Sequence, residues 1–162
     1  MTSPTKLSEG AATFVFEAGW DVVKYDESAH YRKRLAKLDR KGCDFVTTDG
    51  DRAFLIEVKD YRHPAAGDPP DLPQVVAVKA LDTLGGLASA RAAGGDLAGF
   101  ASKVLDCSRI HLVLSVGLPA KHKPLANPEK YLADLKQKLK SGRVLPHPVV
   151  HLLGQPGPAW TT

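Results

Sequence analysis

The chain has 162 residues, 43% of them hydrophobic and 25% charged. That is enough for one domain, residues 1–162, around one buried core, and too apolar for a disordered polymer. The longest apolar-leaning run, residues 110–118, is far too short to span a bilayer. Met1-Thr2-Ser3-Pro4 has neither the basic stretch nor the apolar core of a secretory leader. The two cysteines, Cys43 and Cys107, can neither staple a domain of this size nor make a zinc site alone. They read as reduced thiols of a cytoplasmic protein. A net charge of +4 admits a polyanionic partner without requiring one.

Ser3-Pro4 predicts a helix start, with Leu7, Ala11, Phe14, Val15 and Ala18 on one stripe and Gly19 as the stop. Residues 20–25 are rich in β-formers and predict a strand. Residues 26–41 are polar and basic; if helical, they place Tyr31, Leu35 and Leu38 on one face. Residues 43–48 and 53–61 read as two strands joined at Asp49-Gly50, a strong turn signal. Residues 62–73, dense in Pro and Gly, predict a long loop that is mobile or substrate-facing. Residues 74–103 predict helix, broken at Gly85-Gly86 and Gly94-Gly95. Residues 110–116 predict a buried strand. Asn127-Pro128 opens a further helix that ends at Ser141-Gly142. Residues 144–153 predict an edge strand, because Pro146 and Pro148 interrupt it. Residues 155–162 predict a loose tail. A hairpin followed by a helical crossover gives a mixed sheet flanked by helices, an α/β architecture.

The second strand divides its side chains by chemistry. Glu57 and Lys59 share one face, while Phe54, Ile56 and Val58 take the other. A two-residue turn at Asp49-Gly50 sets Thr48 opposite Asp51 and Asp44 opposite Leu55. Asp44 is then a diagonal neighbour of Glu57, on the charged face. A slip of one residue would send Asp44 to the other face. Two carboxylates on rigid strands suit a hard divalent cation, Mg²⁺ with Mn²⁺ as a substitute. The Val58 carbonyl is a further candidate ligand. Lys59 stands ready to position or deprotonate a water, or to offset transition-state charge. These are the parts that phosphodiester hydrolysis requires.

Asp44, twelve residues, then Glu57-Val58-Lys59 resembles the PD-(D/E)xK nuclease superfamily. The phrasing Gly-Cys-Asp-Phe and Phe-Leu-Ile-Glu-Val-Lys is most similar to its restriction-like and resolvase-like branches. The resemblance covers the first half of the chain directly and the second half in element order only. It implies a three-layer α/β/α restriction-endonuclease-like fold with a central mixed sheet. It also implies a Mg²⁺-dependent nuclease acting on DNA, with Asp44 and Glu57 as metal ligands and Lys59 as the catalytic lysine. Cys43 stands where many members carry proline. Members also carry a glutamate on the first helix; Glu9 is preferred here over Glu17, although its helical phase is opposite the apolar stripe. Members place a polar residue on the helix after the catalytic strand, and Gln74 and Lys79 are the candidates, Lys79 as a nucleic-acid contact. The resemblance further suggests a homodimer or a larger partner protein.

The run holding Arg32, Lys33, Arg34, Lys37, Arg40 and Lys41 reads equally as a phosphate-contacting arm and as a solvated face. Lys130, Lys136, Lys138 and Lys140 read as the exposed side of a helix. No histidine has metal-ligand spacing; His63 reads as a loop residue and His111 as a strand residue. Cys43 alternates away from Asp44 and reads as a packed core thiol. The glycine pairs lack the context of a phosphate-binding loop. Two further readings stay open: a non-catalytic nucleic-acid-binding or assembly module on the same fold, and an RNA-directed nuclease.

Overall fold

The computed structural model describes residues 3–62, 71–118, 128–142 and 144–161. The chain opens with a hairpin, β1 (Thr5–Glu9) and β2 (Ala12–Phe16), where a helix was expected. The reason is periodicity. Ala12, Phe14 and Phe16 are buried and alternate with the half-exposed Thr13 and Val15, a period of two. Gly10, at φ 55°, supplies the left-handed corner between the strands. Over so short a segment the helical stripe and the strand alternation share residues, and β-branched and aromatic side chains favour the strand.

Next come β3 (Asp21–Lys24), a 3-10 turn at Tyr25–Glu27, a π-helical turn at Tyr31–Leu35 and a second 3-10 turn at Ala36–Leu38. The catalytic hairpin candidate is β4 (Phe45–Thr48) and β5 (Arg52–Asp60). Helices α1 (Leu72–Ala93) and α2 (Ala98–Leu105) lead to β6 (Arg109–Gly117). Helix α3 (Pro128–Ser141) precedes β7 (Val149–Leu152) and β8 (Trp160–Thr161). Asn127, His63 and most of the expected 62–73 loop lie outside the described residues, and α1 starts inside that loop, capped by Asp71 on the Gln74 amide.

The main sheet has the order β3-β4-β5-β6-β7. β3, β4 and β5 run antiparallel, and β5, β6 and β7 run parallel, so the sheet is mixed and β7 is its edge. The helices pack on one face, through Val46, Leu55, Leu114, Val76, Leu87 and Leu139. The second sheet, β1-β2-β8, covers the other face through Phe14, Phe16, Phe45, Ile56, Val113 and Trp160. The expected α/β/α sandwich is therefore corrected: among the described residues, the layers are sheet, sheet and helices. Aromatic rings fill the inter-sheet space, with Phe14 5.2 Å from Phe45 and 5.8 Å from Trp160 between ring centroids.

The expected loose tail is corrected at its described residues 160–161, which form β8. Trp160 is fully buried and pairs with Phe16. Gly157 makes this possible, since a Cβ there would lie 2.1 Å from the Trp160 ring. Helix α1 also runs unbroken through Gly85-Gly86. Gly86 is there for space: a Cβ would stand 1.9 Å from the Tyr25 hydroxyl. The expected break at Gly94 is present, at φ 72°. Among the described residues, no helix is long and apolar enough to cross a membrane.

Candidate active site

The β4–β5 turn determines the geometry. Thr48 pairs with Ala53, and Phe45 with Ile56. The Asp49 amide donates to the Arg52 carbonyl at 3.2 Å, so the turn centres on Gly50-Asp51 rather than on Asp49-Gly50. Asp49 Oδ1 accepts the amides of Asp51 (3.0 Å) and Arg52 (2.7 Å), and Thr48 Oγ1 accepts that of Gly50 (2.9 Å). The register thus lies two residues from the expected one. Because side chains alternate with a period of two, every residue keeps its face. One step beyond Phe45–Ile56 along this register, Asp44 stands level with Glu57 rather than Leu55. Its Oδ2 accepts the Val58 amide at 2.7 Å, and its carbonyl accepts the Tyr25 amide at 2.9 Å. Val58 enters the site through that amide, while its side chain packs between the two sheets.

Glu57 is fully buried. Its Oε1 lies 2.6 Å from both Lys59 Nζ and Lys79 Nζ. Its Oε2 is buried with no hydrogen-bond partner among the described residues. Lys79 sits on the inner face of α1. It is not a free phosphate contact, as was expected, because its ammonium is engaged by Glu57. Burial pulls the Lys79 ammonium down, but the charge and hydrogen bond of Glu57 outweigh this and hold its pKa above the ordinary value. Thr83, one turn on, donates to the Lys79 carbonyl and accepts the Cys43 amide at 2.9 Å, tying α1 to the start of β4. Cys43 is a packed core thiol, as expected, but on the helix side, because the chain before β4 is irregular and does not alternate. Burial pushes its thiol pKa far up, so it is no nucleophile.

Two more acids join Asp44. Carboxylate oxygens of Glu9, Asp26 and Asp44 all lie within 4.8 Å of one another. Glu9 reaches the site from the end of β1, and its conflict of helical phase disappears with the helix. Glu17 is exposed beyond β2 and takes no part. Lys24 Nζ sits 3.0 Å from Glu9 and 2.8 Å from Glu27. No local pattern in residues 26–41 singles out Asp26. Its signal was position: an acid just past a strand that neighbours the Asp44 strand. Burial, then the Glu57 charge, pushes the Asp44 pKa up to about 7. Burial, then Glu9, raises that of Asp26. Asp26 Oδ1 is likewise buried without a partner among the described residues.

The other candidates fall elsewhere. Arg32, Lys33, Arg34 and Lys37 are exposed, with no ion pair among the described residues, whereas Lys41 pairs with Asp39 at 3.3 Å. Of the expected shared face, Tyr31 and Leu35 pack inward, but Leu38 is 68% exposed. Gln74 lines a groove between α1 and α3. His111 is a strand residue stacked on Phe54.

Four carboxylates (Glu9, Asp26, Asp44, Glu57) face three ammonium groups (Lys24, Lys59, Lys79). Oxygen donors of this kind suit a hard divalent cation, and two buried oxygens without partners are the places a cation would satisfy.

No family model matches the chain, and no solved structure matches it. The chain is 30% identical over 173 residues to a cysteine–tRNA ligase of Neisseria meningitidis serogroup A, a similarity that covers 84% of this chain and 24% of that protein. The chain thus spans about a quarter of the length of the curated relative it matches.

Proposed function

We propose that the chain is a metal-dependent nuclease that hydrolyses DNA phosphodiester bonds on a restriction-endonuclease-like core. One observation carries the reading: Asp44, Glu57 and Lys59 converge on the helix-side face of the β4–β5 hairpin, beside Glu9 and Asp26. Asp44 and Glu57, with Glu9 and Asp26 beside them and the Val58 carbonyl as a further ligand, would hold Mg²⁺ or Mn²⁺. Bound there, such an ion supplies charge that polarises a scissile phosphate and activates water.

The chain's own groups do the rest. The irregular approach to β4 and the two strands fix the carboxylates before substrate arrives, so little reorganisation is left for the reaction. Lys79 and Lys59 both hold Glu57 Oε1, so Glu57 keeps the Lys79 ammonium as partner when Lys59 turns to the phosphate. There Lys59 orients the attacking water and offsets the charge that builds as the bond to the leaving oxygen breaks. The exposed Arg32, Lys33, Arg34 and Lys37, together with Lys41, supply non-specific backbone contacts. Two copies, each cutting one strand, are the assembly expected for duplex DNA.

The matched relative joins cysteine to tRNA, and this gives RNA as substrate its one supporting observation. A single experiment separates the readings. Supercoiled, linear, branched and single-stranded DNA, and tRNA, are incubated with the chain in Mg²⁺ or EDTA. Cleavage of DNA that EDTA and Asp44→Ala both abolish is the expected result. Cleavage of tRNA alone transfers the reading to RNA. No cleavage of any substrate rejects it in favour of a non-catalytic module.

A further inference from the structure

The carboxylates of the candidate site fall into two groups that share Asp44. On one side Glu57 is fully buried, level with Asp44 on the same face of the hairpin. Both of its lysine contacts fall on Oε1, and Oε2 has no hydrogen-bond partner among the described residues. On the other side stand Glu9 and Asp26, with one oxygen from each of Glu9, Asp26 and Asp44 within 4.8 Å of the others. By donor type alone, either group suits a hard divalent cation.

Lys24 separates them. It is the last residue of β3, and its ammonium lies 3.0 Å from Glu9 Oε2 and 2.8 Å from Glu27 Oε1. Its side chain is only 22% exposed, so the charge is held in place rather than waving in solvent. The Glu27 hydrogen bond, against burial and with the help of Glu9, raises the Lys24 pKa above the ordinary value, so the ammonium stays charged at neutral pH. Its charge also reaches Asp26. A simple tie between the two sheets would account for the Lys24–Glu9 pair but not for its place, beside two more carboxylates that could share a cation.

The charge count points the same way. Five carboxylates (Glu9, Asp26, Glu27, Asp44, Glu57) against three ammonium groups (Lys24, Lys59, Lys79) leave a net charge of −2 when all are ionised. One divalent cation neutralises that charge. A second would meet the Lys24 ammonium at Glu9 and would leave the cluster positive, which like-charge repulsion opposes. Without Lys24 the count is −3, and Asp26 Oδ1, buried with no partner among the described residues, is the oxygen that a second ion would engage.

We infer that the Lys24 ammonium is a built-in cation that takes the place of a second metal ion beside Glu9, so that the site accepts one divalent cation, between Asp44 and Glu57. This rests on the metal-dependent reading above and adds to it the number of ions and the residue that sets it.

The test counts ions and reads no cleavage. Mn²⁺ is titrated into the full chain without substrate, the free ion followed by electron paramagnetic resonance and the heat by calorimetry. The unaltered chain should bind one ion. Lys24→Met keeps the stem and removes the charge; it should bind two, and adding Glu9→Gln should return it to one. Lys24→Arg should bind one. Circular dichroism reports whether each variant folds. Should Lys24→Met fail to fold, Glu9→Gln alone decides: it should leave the single ion bound, where Asp44→Asn should weaken it about tenfold or more. Two ions in the unaltered chain, one in a folded Lys24→Met, or a loss in Glu9→Gln as large as in Asp44→Asn overturns the inference and leaves the nuclease reading standing. Binding of no Mn²⁺ by any of these proteins removes the metal-dependent reading, and the inference with it.

Discussion

The two faces of β5 differ in kind. Phe54, Ile56 and Val58 point into a layer of aromatic rings shared with β2, β6 and β8. On the other face Leu55 packs under the helices, but Glu57 and Lys59, further along the same strand, carry charge into the protein. The first face repays burial with hydrophobic free energy, roughly 25 cal/mol per Å² of apolar surface. The second places a fully buried carboxylate against two ammonium groups and leaves one of its oxygens without a partner. A buried ion pair of this kind adds little stability over an apolar packing. The contrast teaches that one face of the strand holds the fold, while the other carries the candidate site at a cost in stability.

That contrast can be broken from either side. On the aromatic face, Phe14→Ala or Phe45→Ala should cost about 3–5 kcal/mol, read as a lower denaturant midpoint. On the charged face, Lys59→Ala should lower cleavage about 10²–10⁴-fold while thermal unfolding moves by only a few degrees. A loss of folding equal to that of Phe14→Ala would erase the distinction between the faces. Next in size comes Gly86→Ala. The added Cβ meets the Tyr25 hydroxyl, so this change should destabilise by about 1–3 kcal/mol, where Gly85→Ala, with open space around it, should not destabilise.

The smallest effect sharpens the electrostatics. The Asp44 pKa rises from an ordinary 3.8 to about 7 in the folded chain. Between those values the native state holds more protons than the unfolded one, so stability falls as pH rises through this window. Asp44→Asn should flatten that slope. A divalent cation needs the ionised carboxylate, so the rise in Tm produced by Mg²⁺ or Mn²⁺ should be larger above pH 7 than below it, and absent in Asp44→Asn.

The charged face was legible because alternation along a strand survives errors of two. Asp44, Glu57 and Lys59 share a face whether the turn centres on Asp49-Gly50 or, as Asp49 and Thr48 build it, on Gly50-Asp51. Side-chain capping of the turn was what the Asp49-Gly50 signal could not convey. The β1–β2 hairpin was hidden because Leu7, Phe14 and Val15 fit a helical stripe as well as a strand, and only the partner layer of Phe45 and Trp160 decides between them. Glu9 is expected on a helix and stands at a strand end. Asp26 and the pairing of Lys79 with Glu57 depend on contacts between elements distant in sequence, which no local pattern carries.

The most direct measurement is anomalous diffraction from crystals soaked in Mn²⁺. The account predicts a peak within coordination distance, about 2–2.6 Å, of Asp44 and Glu57 oxygens, with Glu57 Oε2 now engaged. An empty map there at saturating Mn²⁺, with Glu57 still held by Lys59 and Lys79, would contradict it.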